Sequence, residues 1–138
     1  MIHPVVRSLV GVFAGVVVCG VLIGLTEYGA SVIHPPPTGF DMNDRELVRA
    51  HAEKAPPSAM LLVLAGYAVG TFVGAWLAAR VAGWAPLVHA GVVAGLFFVG
   101  SVMNLRSVQG HPAWFAVVNL AMFAPIAWLA AWLARPNR

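Results

Sequence analysis

An all-α bundle of four membrane spans is the fold class this sequence predicts, on three observations. Apolar residues make up 60% of the 138-residue chain and charged residues only 9%, far below the roughly 25% charge of soluble domains. The apolar residues gather into four runs, about 5–33, 58–79, 87–105 and 113–134. Each run supplies something near the ~20 residues needed to cross ~30 Å of hydrocarbon. Arg80, Arg106 and Arg135 close the second, third and fourth runs. A soluble core this apolar, with a mean hydropathy of +0.84, lacks the polar surface to cover it. The lipid bilayer is the expected solvent, and residues 1–138 form one transmembrane domain.

The first run begins beside Arg7 and continues without a small-x-small cleavage pattern, so an uncleaved helix is expected rather than a signal peptide. Val18 before Cys19 also argues against lipoprotein processing. Cys19 is the sole cysteine, which excludes an intrachain disulfide and leaves a buried, inert thiol as the expectation. Near the end of this helix Gly20, Gly24, Glu27, Ser31 and His34 step by four, three, four and three, placing them on one stripe. Glu27 is then expected to face a neighbouring helix. Pro35-Pro36-Pro37 stops the segment.

The loop 34–57 holds four of the five acids, Glu27 lying just before it. Asn43 with Glu46 three residues on has capping-box spacing, and Met42 and Leu47 fall at the staple positions. Glu46 with Arg49, and Arg49 with Glu53, stand at i,i+3 and i,i+4. A short surface helix ending at Pro56-Pro57 is expected.

The second run carries Gly66, Gly70 and Gly74, an uninterrupted GxxxGxxxG. The first run adds Gly11 with Gly15 and Gly20 with Gly24, and the third adds Gly91 with Gly95. Where lipid removes the hydrophobic drive, glycines let backbones approach and dispersion hold helices together. Close packing through Gly20, Gly24, Gly66, Gly70, Gly74, Gly91 and Gly95 is expected, within or between subunits. Only residues 80–86 and 106–112 separate the later runs, so consecutive helices are antiparallel neighbours in an up-down bundle. In the fourth run Pro112 suits the first helical position, and Pro125 should bend the helix and free the carbonyl of Ala121.

Orientation rests on the flanking cations. With both termini inside, Arg7, Arg80, Arg135 and Arg138 lie on the cytoplasmic side and Arg45, Arg49, Lys54 and Arg106 outside, a tie of four against four. Arg7 on the flank of the first helix and the acids of the first loop tip the expectation to N-in, C-in. Trp76, Trp84, Trp114, Trp128 and Trp132, with Tyr28, suit an aromatic belt.

Glu27, Asn104, Arg106, His111 and Asn119 all belong to the same end of this array and are expected to converge on one polar pocket. An ionisable residue at the hydrocarbon boundary is a functional candidate. The plainer expectation is a carboxylate paired with Arg106. His34, His51 and His111 share that end, but no HxxxH or HExxH spacing occurs, so neither metal nor cofactor is expected. His89 reads as an interfacial residue. The net charge of +3 is scattered singly rather than clustered with aromatics, which excludes nucleic acid as a partner. No Gly-x-Ser-x-Gly, phosphate-binding glycine loop or Cys-x-x-Cys occurs, and no enzymatic activity is expected.

Glu27 eight residues before the triple proline, followed by Asn104-Leu105 and His111-Pro112-x-Trp114-Phe115, resembles a group of small four-helix bacterial membrane proteins of unassigned function. The likeness spans nearly the whole chain and implies the fold and a bacterial inner membrane, but no activity. That group's pattern has Gly-His after the glutamate where this chain has Ala30-Ser31, and Tyr before the prolines where His34 stands. Losing that histidine counts against a Glu–His metal or proton role. Two function classes follow. The first is a non-enzymatic packing protein, self-associating or accessory to another membrane protein. The second is a small transporter or channel for a proton, ion or small polar solute.

Overall fold

A computed structural model describes residues 3–135; Arg138, counted above among the cytoplasmic charges, lies outside the described residues. The chain forms α1 (Pro4–Ile33), α2 (Arg45–Glu53), α3 (Pro57–Ala82), α4 (Pro86–Ser107), α5 (Ala113–Ala121) and α6 (Phe123–Leu133). The α5 and α6 segments are one span divided at Met122, whose φ and ψ stay α-helical. Pro125 has no N–H for the carbonyl of Ala121, which accounts for the interruption at this point. Four helices of 30, 26, 22 and 21 residues are therefore long and apolar enough to cross a membrane.

Proline sets the starts of three of these spans. Pro4, Pro57 and Pro86 each occupy the first helical turn, where no N–H is needed. Pro112 is one position earlier than expected: it caps α5 while Ala113 begins it. The α3 helix runs past Arg80 to Ala82 because Gly83 takes the left-handed conformation (φ 74°) that closes it, its N–H donating to Ala79 O at 3.2 Å. The α2 helix is capped by Asp44, not by Asn43. The Asp44 carboxylate accepts from the amides of Glu46 (2.9 Å) and Leu47 (3.2 Å), while Asn43 turns back onto Asp41. A carboxylate at this position also meets the positive end of the helix, which a neutral amide cannot match. Arg49 and Glu53 form the expected i,i+4 pair at 2.8 Å on an exposed face.

The central element is α3, which touches α1, α4, α5 and α6, whereas α1 meets neither α5 nor α6. Cys19, Ile23, Tyr67, Ala75, Ala78, Val93, Phe123 and Ala130 form the main core, and Met60, Leu64 and Phe115 a second cluster toward the Glu27 end. On the outer surface of α1, Leu9, Phe13, Val17, Val21, Leu25 and Val32 stand exposed, Phe13 at 72%. A stripe of that length facing water would be an aggregation surface. Facing hydrocarbon, it is what a span requires.

Glycine packing is divided differently from the expectation. The face of α1 against α3 carries Gly11, Gly15, Cys19 and Ile23, each four residues apart and all buried. A Cβ on Gly15 would run into the backbone carbonyl of Gly74, and one on Gly74 into the carbonyl of Gly15. Gly70 faces Cys19 O and Ile23, and Gly66 leaves the notch filled by Thr26. The GxxxGxxxG of α3 is thus used inside the chain. By contrast Gly24, Gly91 and Gly95 have no neighbour within 4 Å, and Gly20 approaches only Phe97 at 3.9 Å. The expected packing role of these four is not met within this chain. A helix offers a single flat partner only one seam, and α1 spends it on the Gly11–Ile23 face, leaving Gly20 and Gly24 exposed.

At the end opposite Glu27, Arg7 Nε donates to Val81 O (3.1 Å) and Trp84 Nε1 to Ser8 Oγ (3.0 Å), tying the start of α1 to the α3–α4 turn. His89, in the first turn of α4, is buried, its Nδ1–H donating to Ala85 O at 3.0 Å.

Candidate functional site

The unfilled gap at the Glu27 end is a chamber of about 240 Å³ lined from α1, α3, α4 and α5: Glu27, Val63, Tyr67, Ser101, Asn104, Leu105, His111, Phe115 and Asn119, with Val108 after α4. Four of the five residues expected to form a polar pocket therefore meet. The fifth, Arg106, does not line the chamber. On α4, Asn104 and Ser101 are three residues apart and turn inward together, while Arg106 two positions on points elsewhere.

Each polar group has a determined role. Tyr67 Oη donates to Glu27 Oε1 at 3.4 Å, a long bond that leaves the carboxylate weakly held. Ser101 Oγ donates to Asn119 Oδ1, both residues being 2% exposed. His111 Nδ1–H donates to Val108 O at 3.0 Å, which leaves Nε2 as the ring nitrogen without a protein partner. Its ring stacks on Phe115 with centroids 4.9 Å apart.

Above the chamber, beyond the helix ends, lies a second cavity of about 330 Å³. It shares Glu27, Val63, Val108, His111 and Phe115 with the chamber and is otherwise lined mostly by apolar residues of α2, α3 and the first loop, among them Phe40, Met42, Val48 and Met60. The loop is held over it by aromatic stacking. His34, the C-cap of α1, lies flat on His51 with centroids 4.1 Å apart and its Nε2–H donates to His51 O at 3.0 Å, while Phe40 tilts against the same ring at 5.1 Å.

The sequence reading missed Tyr67 and Ser101 as chamber residues. Tyr67 follows Gly66 in a run read only for its glycines, and Ser101 stands one turn before Asn104. The i,i+3 spacing of Ser101 and Asn104 was the available signal.

The expected ion pair of Glu27 with Arg106 is absent: the one ion pair among the described residues is Arg49–Glu53. Arg106 is exposed at the end of α4. A double-mutant cycle of Glu27→Gln and Arg106→Gln in a thermal-denaturation assay is therefore expected to be additive within about 0.5 kcal/mol, the behaviour of sites with no shared partner.

The stacked histidines carry a pH dependence. Burial, then the facing His34 ring, holds His51 below the usual histidine range; Arg49, Glu53 and Lys54 are the charged groups nearest to it on its own helix. With the folded value depressed, the unfolded chain takes up the proton first. The contribution is complete above about pH 6.5 and is lost as pH falls below it. Amide exchange in α2, corrected for intrinsic rate, is expected to speed up between about pH 7.5 and about pH 5.5, and His51→Phe to remove most of that change.

No family model, curated protein or solved structure matches this chain.

Proposed function

We propose that this is a small multi-pass protein of a bacterial inner membrane that binds a small polar solute in the Glu27 chamber and passes it toward the bilayer interior. It is non-enzymatic, with both termini cytoplasmic and the chamber opening outward. One observation carries the reading: polar residues from α1, α3, α4 and α5 line a single chamber near one end of the spans, and it shares five lining residues with a cavity beyond the helix ends. Polar groups on membrane-spanning helices are costly unless they serve a packed or solvated function, and here they enclose space. The N-in topology and the membranous setting draw their support from Arg7 and the four apolar spans.

Cysteine accessibility tests it. In a Cys19→Ala background, Asn104→Cys in intact cells is expected to react with a membrane-impermeant maleimide and Gly91→Cys, facing lipid, to remain unlabelled. A silent Asn104→Cys in cells and in opened membranes alike would remove the solute-binding reading. Labelling confined to opened membranes would reverse the topology.

A second reading is assembly. The bare Gly91 and Gly95 border a groove of about 260 Å³ with Phe98, Phe123 and Ala127, a surface on which another helix could close. Large residues at Gly91 and Gly95 that change the size of the detergent-extracted particle would favour it.

A further inference from the structure

Resting on the solute-binding reading, the charge pattern of the two cavities points further. We propose that they take a small organic cation, an ammonium bearing a compact aromatic or alkyl group, with its nitrogen at Glu27. Glu27 is the one acidic residue that lines them, and no lysine or arginine lines either cavity. An anion would meet that carboxyl group with no lysine or arginine to offset it. A neutral solute would leave the carboxyl group with a single long bond from Tyr67.

The neighbouring groups extend the same preference. His111 Nδ1 is committed to Val108 O, which leaves Nε2 as an acceptor, and the Oδ1 of Asn119 is committed to Ser101. Glu27, His111 and the side-chain oxygen of Asn104 are acceptors open to an N–H donor in the inner chamber. Phe115 borders both cavities and Tyr67 the inner one, aromatic faces that suit a cation. The volumes, about 240 and 330 Å³, fall at or below the ~300–1,000 Å³ of drug-sized sites, so the ligand is a one-ring molecule or smaller.

A lipid headgroup can carry the same ammonium. The order of the cavities opposes it, because the polar chamber lies deeper than the apolar cavity while a lipid buries its chains deeper than its charge. A free aqueous amine enters with the charge leading and the apolar group trailing.

The test uses one ring with three charges. Thermal stability of the full chain in detergent is measured at neutral pH and fixed ionic strength against benzylammonium, benzyl alcohol and benzoate. Saturable stabilisation by benzylammonium is expected, with benzyl alcohol weaker by about tenfold or more and benzoate without effect. Glu27→Gln should remove the preference for the amine. Equal binding of the alcohol or of benzoate, binding of none of the three, or a preference that survives Glu27→Gln overturns the cation. The wild-type series decides the charge class even if the variant fails to fold. Displacement of benzylammonium by phosphatidylethanolamine would overturn the aqueous source. If the ligand series fails while Asn104→Cys still labels, the chamber stands and only its ligand class falls; if the labelling fails, both fall.

Discussion

Gly74→Val is expected to cost about 3 kcal/mol or more and to separate α1 from α3, the upper end of what overpacking does. The reason is geometric. The new Cβ would meet the carbonyl of Gly15 and lie 2.8 Å from Cys19 Cβ, and it is a backbone atom, not a flexible side-chain tip, that must yield. Gly15→Ala meets the reciprocal obstacle, with Ala78 Cβ at 3.0 Å, and Gly11 is little freer, with Ala78 O at 2.8 Å. Gly24→Ala and Gly91→Ala add a Cβ to open space and should stabilise or leave the fold unchanged, since alanine gains about 0.8–1 kcal/mol over glycine in a helix. Thermal or detergent denaturation of the purified variants orders them. Equal cost at Gly74 and Gly91 would mean that α1 and α3 do not meet at this seam.

Asn119→Asp should be the second most damaging change, and Asn119→Leu its opposite. Asn119 is 2% exposed and shares a chamber with Glu27. A second carboxylate there sits buried in a span-length helix beside the first, with no lysine or arginine lining the space, at a cost of about 2.5–3.5 kcal/mol. Leucine fills the chamber instead. Ser101 loses its acceptor but can turn its hydroxyl to a carbonyl of its own helix, so stability should hold or rise while labelling of Asn104→Cys falls. Stability and function would then separate at a single residue, as expected where a site maintains unfilled polar space. A denaturation curve and a labelling assay on both variants give the answer together.

Much of this was legible in the chain. Length and composition specify four spans, the prolines at 4, 57 and 86 mark their starts, and the spacing of Gly66, Gly70 and Gly74 marks the closest seam. Convergence of Glu27, Asn104, His111 and Asn119 followed from their common end of the bundle. What sequence could not give was the rotation of each helix about its own axis. Two glycine pairs on α1 look alike as strings, and only packing against α3 selects Gly11–Gly15 and leaves Gly20–Gly24 bare. The same ambiguity misplaced Arg106: near a helix end, one or two residues change the direction of a side chain by 100° or more. Asp44 in place of Asn43 is a smaller error of the same kind, a cap displaced by one residue.

The seam between α1 and α3 also has a consequence in time. Both partners precede α4 in the chain, so they leave the ribosome before it. Their backbone contact can form while α4 is still being synthesised, and α4, α5 and α6 then dock onto a hairpin already in place. Lesions at Gly15 or Gly74 should therefore strike during biogenesis, lowering the amount of protein that survives quality control, whereas lesions in the Glu27 chamber should leave normal amounts of a protein that has lost its cargo.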